Sequence, residues 1–203
     1  MRLLLTTLIV ATLTGCSKEE PSVKRDPSKP TVAAVNYPLA FFAGVMTEGT
    51  GIEVLFPEIA GDPAFWKLTD EQIAAFQTAD IIFRNGATYA QWTKTVSLPE
   101  STQKDTSKAF SGDFISEESS VTHTHGNGES HSHAGTASTT WLDFQQAIWQ
   151  AEEVRDALIE LKPEKETAIT DAFNRLADEL DKLHADLKEI GKKLNGRPLL
   201  ASH

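Results

Sequence analysis

The histidines of residues 123–133 stand in two pairs, His123 with His125 and His131 with His133, each pair separated by one residue. Between the pairs lie Gly126, Asn127, Gly128 and Glu129, and the two glycines let the chain turn back on itself. Folded over, the pairs and Glu129 offer more than enough donors for a tetrahedral set of four. Imidazole nitrogen with a carboxylate oxygen suits a borderline cation, zinc foremost, although copper and nickel also take imidazole. The competing reading is a solvated low-complexity segment that meets metal only nonspecifically. A lone cysteine, Cys16, excludes an intrachain disulfide and any site built from several thiolates.

Where such a cluster stands depends on the chain start. Met1 and Arg2 precede an apolar run from Leu3 to Leu13, which is shorter than the roughly 20 residues a membrane-spanning helix needs. Leu13-Thr14-Gly15-Cys16 follows and resembles the bacterial lipobox, which implies removal of residues 1–15 and lipid attachment at Cys16. The alternative is an ordinary signal peptide that leaves a free cysteine. Residues 16–30, charged, proline-spaced and without aromatics, read as a flexible tether. The expected location is therefore extracytoplasmic, on a membrane-anchored lipoprotein of the periplasm or cell surface. A formal net charge of −10 argues against nucleic acid as partner and draws cations only weakly.

The elements that must position the histidines read as α/β. Residues 31–36 (TVAAVN), 52–56 (IEVLF) and 81–83 (IIF) have the character of short buried strands. Pro38 opens a first helix running to Met46, and Thr69 with Asp70 and Glu71 starts a second ending near Gln77. Strands alternating with helices indicate a small parallel sheet flanked by helices, and ligands on such sheets gather beyond the carboxyl ends of the strands. A fourth, weaker strand is expected at residues 96–98 or 113–115. Residues 116–140 form a histidine-rich loop longer than the about 12 to 15 residues usual inside a compact domain. Beyond it, Ala147, Ile148, Ala151, Val154, Leu158 and Leu161 make one helical stripe, stopped at Pro163. A second stripe runs from Ile169 through Phe173, Leu176, Leu180, Leu183, Leu187 and Ile190 to Leu194. As one helix, residues 164–194 would reach roughly 45 Å at about 1.5 Å per residue, long enough to bridge two bodies.

In this order the pieces resemble the metal-specific solute-binding proteins of bacterial ABC importers, the zinc and manganese group. The resemblance rests on VAAVNYPLAFFAGVM (residues 32–46), GDPAFWKLTDEQIAAFQTADIIFRNG (61–86), Gln91-Trp92, the histidine-rich loop directly before TTWLDF (139–144), the long helix and RPLLASH (197–203). It implies two α/β lobes joined by a long helix, with a cation held between them by histidines and a carboxylate and handed to a membrane permease with its ATPase. The chain then divides into an N-terminal lobe at 31–142 with the loop at 116–140, helices at 143–195 including the linking helix, and at 196–203 the first strand of a C-terminal lobe largely absent from this chain. It departs from the family where the ligands should stand. The histidine expected after Asp62-Pro63 is Ala64, and the one expected before Trp141-Leu142-Asp143 is Thr139, leaving His203 as the matching ligand. Alanine has no donor, and a threonine hydroxyl is a poor zinc ligand beside imidazole. Three arrangements stay open: the loop histidines fold over the cleft, metal is held by the loop alone, or metal binding is lost.

The expected function is capture of a divalent metal, Zn2+ first and Mn2+ or another divalent ion as alternative cargo, and its delivery to the permease. The candidate ligands are His123, His125, His131, His133 and His203. A lipid-anchored metal buffer or an adhesion-type surface protein on the same fold is the rival. Binding without turnover is expected, since the chain has no GxSxG elbow, HExxH helix or glycine-rich phosphate loop. Because neutral imidazole is the ligand and its ordinary pKa is about 6.5, protons compete increasingly as pH falls. Zinc affinity measured calorimetrically should therefore weaken on going from pH 7.5 to about 5.5.

Overall fold

The computed structural model describes residues 28–115, 122–124, 130–132 and 136–198, with only the backbone described at 122–124 and 130–132. Cys16, His125, His133 and His203 lie outside the described residues, as does the segment 199–203 expected to complete a strand.

Four short strands build one parallel sheet: β1 (Thr31–Ala34), β2 (Glu53–Leu55), β3 (Ile81–Arg84) and β4 (Gln103–Asp105), in the order β2-β1-β3-β4. β1 is buried along its whole length, as a central parallel strand covered on both faces must be. Val32 pairs with Val54 on one side and Ile81 on the other, while β4 pairs only with β3. The chain leaves β1 for β2 on one side and then returns to β3 on the other. The strand order therefore reverses between β1 and β3, and their carboxyl ends flank the switch point at which sheets of this kind form a ligand crevice.

The fourth strand corrects the expectation of one at residues 96–98 or 113–115, which are not strands. Its sequence, Gln103-Lys104-Asp105, gives no apolar signal because an edge strand half-exposed along its length needs none. The long loop also differs from expectation. Within it, β5 (Thr122–Thr124) and β6 (Ser130–Ser132) form an antiparallel pair.

Helix starts follow local chemistry. Asn36 caps α1 (Tyr37–Thr47) by accepting from Leu39 N, with Pro38 in the first turn where its missing N–H costs nothing. Thr69 and Gln72 close a capping box on α2 (Asp70–Gln77). Asp143 caps α3 (Phe144–Leu161), accepting from Gln145 N and Gln146 N. Pro163 opens a short 3-10 turn into α4 (Glu166–Leu194), which ends at Asn195 and Gly196, both in the left-handed region.

Helices α1, α3 and α4 pack on one another, and their stripes meet Leu39, Phe42, Met46, Val154, Leu158, Ile169 and Phe173 in the core. Arg155 lies 4.4 Å above the Phe173 ring, adding a cation–π contact between α3 and α4. Only the first half of the α4 stripe is used in this way. Ile169, Phe173 and Leu176 are buried, whereas Leu183, Leu187 and Ile190 are 47%, 51% and 51% exposed. At about 1.5 Å per residue, α4 is roughly 43 Å long and runs past α3. Phe173→Ala should therefore lower unfolding free energy in urea by about 3–5 kcal/mol, and Leu187→Ala by less than about 0.5 kcal/mol.

Candidate metal crevice and the histidine arm

Asn36 follows β1 and Asn85 follows β3, on either side of the point where the strand order reverses. Both are buried, and Asn36 Nδ2 donates to Asn85 Oδ1 at 3.1 Å. Asn85 then ties in three more segments. Its Nδ2 donates to Ser138 O at 2.9 Å, and Gln150 Nε2, from α3, donates to its carbonyl and side-chain oxygens at 3.3 and 3.2 Å. Gln150 Nε2 also reaches Thr106 Oγ1 at 3.0 Å, and Thr140 Oγ1 donates to Gln150 Oε1 at 3.1 Å. Thr106 Oγ1 in turn donates to Arg84 O. Every polar side chain in this knot is buried and partnered, as a low-dielectric interior demands.

The knot holds one foot of the histidine-rich loop. Ser138 and Thr140 are fastened to Asn85 and Gln150, and Ala137 N donates to Ile115 O at 2.9 Å, closing the loop at its neck. Beyond that neck, His123 and His131 are directly opposed in the β5–β6 register, with Thr122 facing Ser132 and Thr124 facing Ser130. Of the five expected ligands, the described backbone thus brings two into register, and the other three lie outside the described residues.

After Asn85 the backbone is strained. Gly86 has φ +72°, and a Cβ there would collide with Ser107 Oγ and the Asp105 carboxylate, so glycine is required. Ala87, Thr88 and Ala90 also have positive φ (45°, 64° and 52°), a region that side-chain-bearing residues adopt at a cost of about 1–3 kcal/mol each. This loop presents Tyr89. Its hydroxyl donates to Asp62 Oδ1 at 3.1 Å, and its ring meets Trp141 edge-on at 5.2 Å between centroids. Burial first, and then the charge of Asp62 and the bond to it, push the phenol well above its ordinary range, with the Ala64 backbone N–H pulling the other way.

The two positions where imidazoles were expected lie on the turns that Tyr89 touches. Ala64 is half-buried in a 3-10 turn (Pro63–Phe65) capped by Asp62, whose Oδ1 accepts from Ala64 N at 2.8 Å. Thr139 is exposed and precedes the 3-10 turn Thr140–Leu142. Trp92 Nε1 donates to Pro63 O at 2.9 Å, and Trp92 packs on Phe76 and Trp66, so an aromatic wall fixes the Asp62 turn. Asp62 and Asp143 are cap residues. Among the described residues, no group of three or more His, Cys, Asp or Glu is placed to hold a metal, and Ala64 and Thr139 bring no imidazole to these turns. Tyr89 gave no signal in the sequence, since a lone aromatic in a loop has no periodicity to reveal it.

The model of the zinc-uptake complex component A periplasmic family matches residues 32–203. The chain belongs to that family. No curated protein matches it. Among solved structures, the metal-dependent lipoprotein YcdH from Bacillus subtilis is similar at 18% identity and TM-score 0.63, covering 81% of this chain and 57% of that one. The Mn-bound periplasmic metal binding protein from Candidatus Liberibacter asiaticus is 15% identical with TM-score 0.61, covering 81% and 58%. The Zn(II)-bound ZnuA-like domain of Streptococcus pneumoniae AdcA is 18% identical with TM-score 0.54, covering 77% and 54%. At these identities the likeness is one of fold, and the chain spans little more than half the length of each structure.

Within this fold the polar knot is the part whose loss can be measured most simply. Gln150→Leu keeps a side chain of similar size but removes the amide's bonds to Thr140, Thr106 and Asn85. It should cost about 1–3 kcal/mol in urea unfolding, accompanied by faster hydrogen exchange at Ser138 and Thr140.

Proposed function

We propose that this member of the zinc-uptake family is the extracytoplasmic solute-binding component of an ABC importer, capturing a divalent cation, zinc first, and delivering it to the permease. The capture site is the histidine arm, His123, His125, His131 and His133, and His203 adds a ligand on the crevice side. Cys16 carries the lipid that keeps the protein at the membrane.

The observation that carries this reading is the register of the arm. In an antiparallel pair, directly opposed positions share a face of the ribbon at about 4.5–5.5 Å between Cβ atoms, a spacing two ligands of one cation can bridge. His123 and His131 occupy such opposed positions. His125 and His133 follow their partners by two residues, the strand period, so an extended arm would put all four on one face. The membership of the chain in a zinc-uptake family and the metals named for its structural neighbours, Zn(II) and Mn, agree with a divalent cargo.

A second reading is favoured by Ala64 and Thr139, which bring no imidazole to the crevice: a lipid-anchored metal buffer or adhesion-type surface protein on the same fold. The two part company on transfer. Import predicts that zinc-loaded protein stimulates ATP hydrolysis by a reconstituted cognate permease, and a buffer does not.

The arm itself is tested by replacing His123, His125, His131 and His133 with Gln in the full chain. Calorimetry should show loss of most zinc binding with unchanged circular dichroism, because the knot that secures the arm's foot contains none of these residues. Unchanged stoichiometry and affinity would contradict the assignment.

A further inference from the structure

We propose that Tyr89 latches the crevice at the carboxyl ends of β1 and β3 against cations, its phenol bridging the Asp62 turn and the Trp141 turn where an ion would otherwise enter. This concerns the crevice alone and does not rest on the histidine arm.

One side chain makes both contacts, hydroxyl to Asp62 and ring edge to Trp141. Asp62 Oδ1 accepts from Tyr89 and from Ala64 N together, so a cation taking that oxygen would compete with both bonds. The phenol gives no anionic oxygen in exchange, because burial and the neighbouring carboxylate keep its proton on. The hydroxyl's proton is therefore committed to that one carboxylate oxygen. The backbone is shaped for this result: Ala87, Thr88 and Ala90 all have positive φ around the single residue that reaches the two turns. A stretch held so far from relaxed geometry is maintained by what it holds. Asn85 anchors its start in the buried knot, and Ala90 O accepts from Thr93 N and Thr93 Oγ1 at its end. Tyr89 is thus a positioning residue on a rigid support.

Latching predicts that restoring imidazoles to the crevice is not enough to restore a site. The test uses the full chain with His123, His125, His131 and His133 changed to Gln, so that the arm contributes no ligand. Ala64→His and Thr139→His are then added, with Tyr89 kept or changed to Ala, and zinc affinity is read by competition with a chromophoric chelator. With Tyr89 in place the added imidazoles should change affinity by less than about twofold, and with Tyr89→Ala affinity should rise at least about tenfold. Equal affinities in the two proteins, tight or weak, overturn the latch. An independent measurement needs no added imidazole. In an ultraviolet titration Tyr89 should ionise above the ordinary phenol range, with Asp62→Asn bringing its transition down. A Tyr89 transition that Asp62→Asn leaves unmoved also overturns it.

Discussion

The hydrogen bond between Asn36 and Asn85 is the constraint from which the rest of this lobe follows. A parallel sheet whose strand order reverses leaves the carboxyl ends of two neighbouring strands without a crossover above them. Something polar must satisfy the backbone there, because burial without partners is costly. Here two asparagines join across the gap, and Gln150 from α3, Thr106 after β4 and Thr140 after the histidine-rich loop complete the set. One buried cluster thus connects the sheet, the helical layer and the foot of the arm. A residue lost from it would leave several unpaired groups at once, which makes the cluster demanding but also specific.

That arrangement occupies the place where an α/β fold ordinarily receives its ligand. The turn beside it carries Ala64, the other carries Thr139, and Tyr89 stretches between their neighbours. The imidazoles proposed to take the cation belong to the segment between Ile115 and Ala137, whose two described strands place His123 opposite His131. On the proposed reading, capture and support are separate tasks: the buried cluster needs burial and fixed geometry, whereas imidazoles need water and access.

Much of this architecture was legible in the sequence because it depends on local rules. Pro38, Thr69 with Asp70 and Glu71, the stripes of α3 and α4 and the Asn195-Gly196 stop each carry their own signal, and each element formed close to where its signal lay. The fourth strand was not legible. Gln103, Lys104 and Asp105 pair with β3 through the backbone, and an edge strand needs no apolar alternation to do so. The antiparallel pair in the loop was hidden for the same reason, its strands being Thr-His-Thr and Ser-His-Ser. The polar knot escaped because Asn36, Asn85, Thr106, Thr140 and Gln150 are scattered along the chain and read singly as caps, turns or surface. Only the parallel register brings them together. In the crevice, the losses at Ala64 and Thr139 could be read by comparison with the family pattern, but not the side chain that fills in for them.

The chain belongs to the zinc-uptake family, and on the proposed reading cation chemistry and crevice have separated in it. The most direct measurement of that separation is a nitrogen–proton NMR titration of the full chain with zinc, following both imidazole and backbone amide signals. The account predicts that the imidazoles of His123, His125, His131 and His133 shift and lose their pH titration while the amides of Ala64, Tyr89 and Thr139 stay in place. Saturable shifts at Ala64, Tyr89 and Thr139 with the arm's imidazoles unmoved would contradict it.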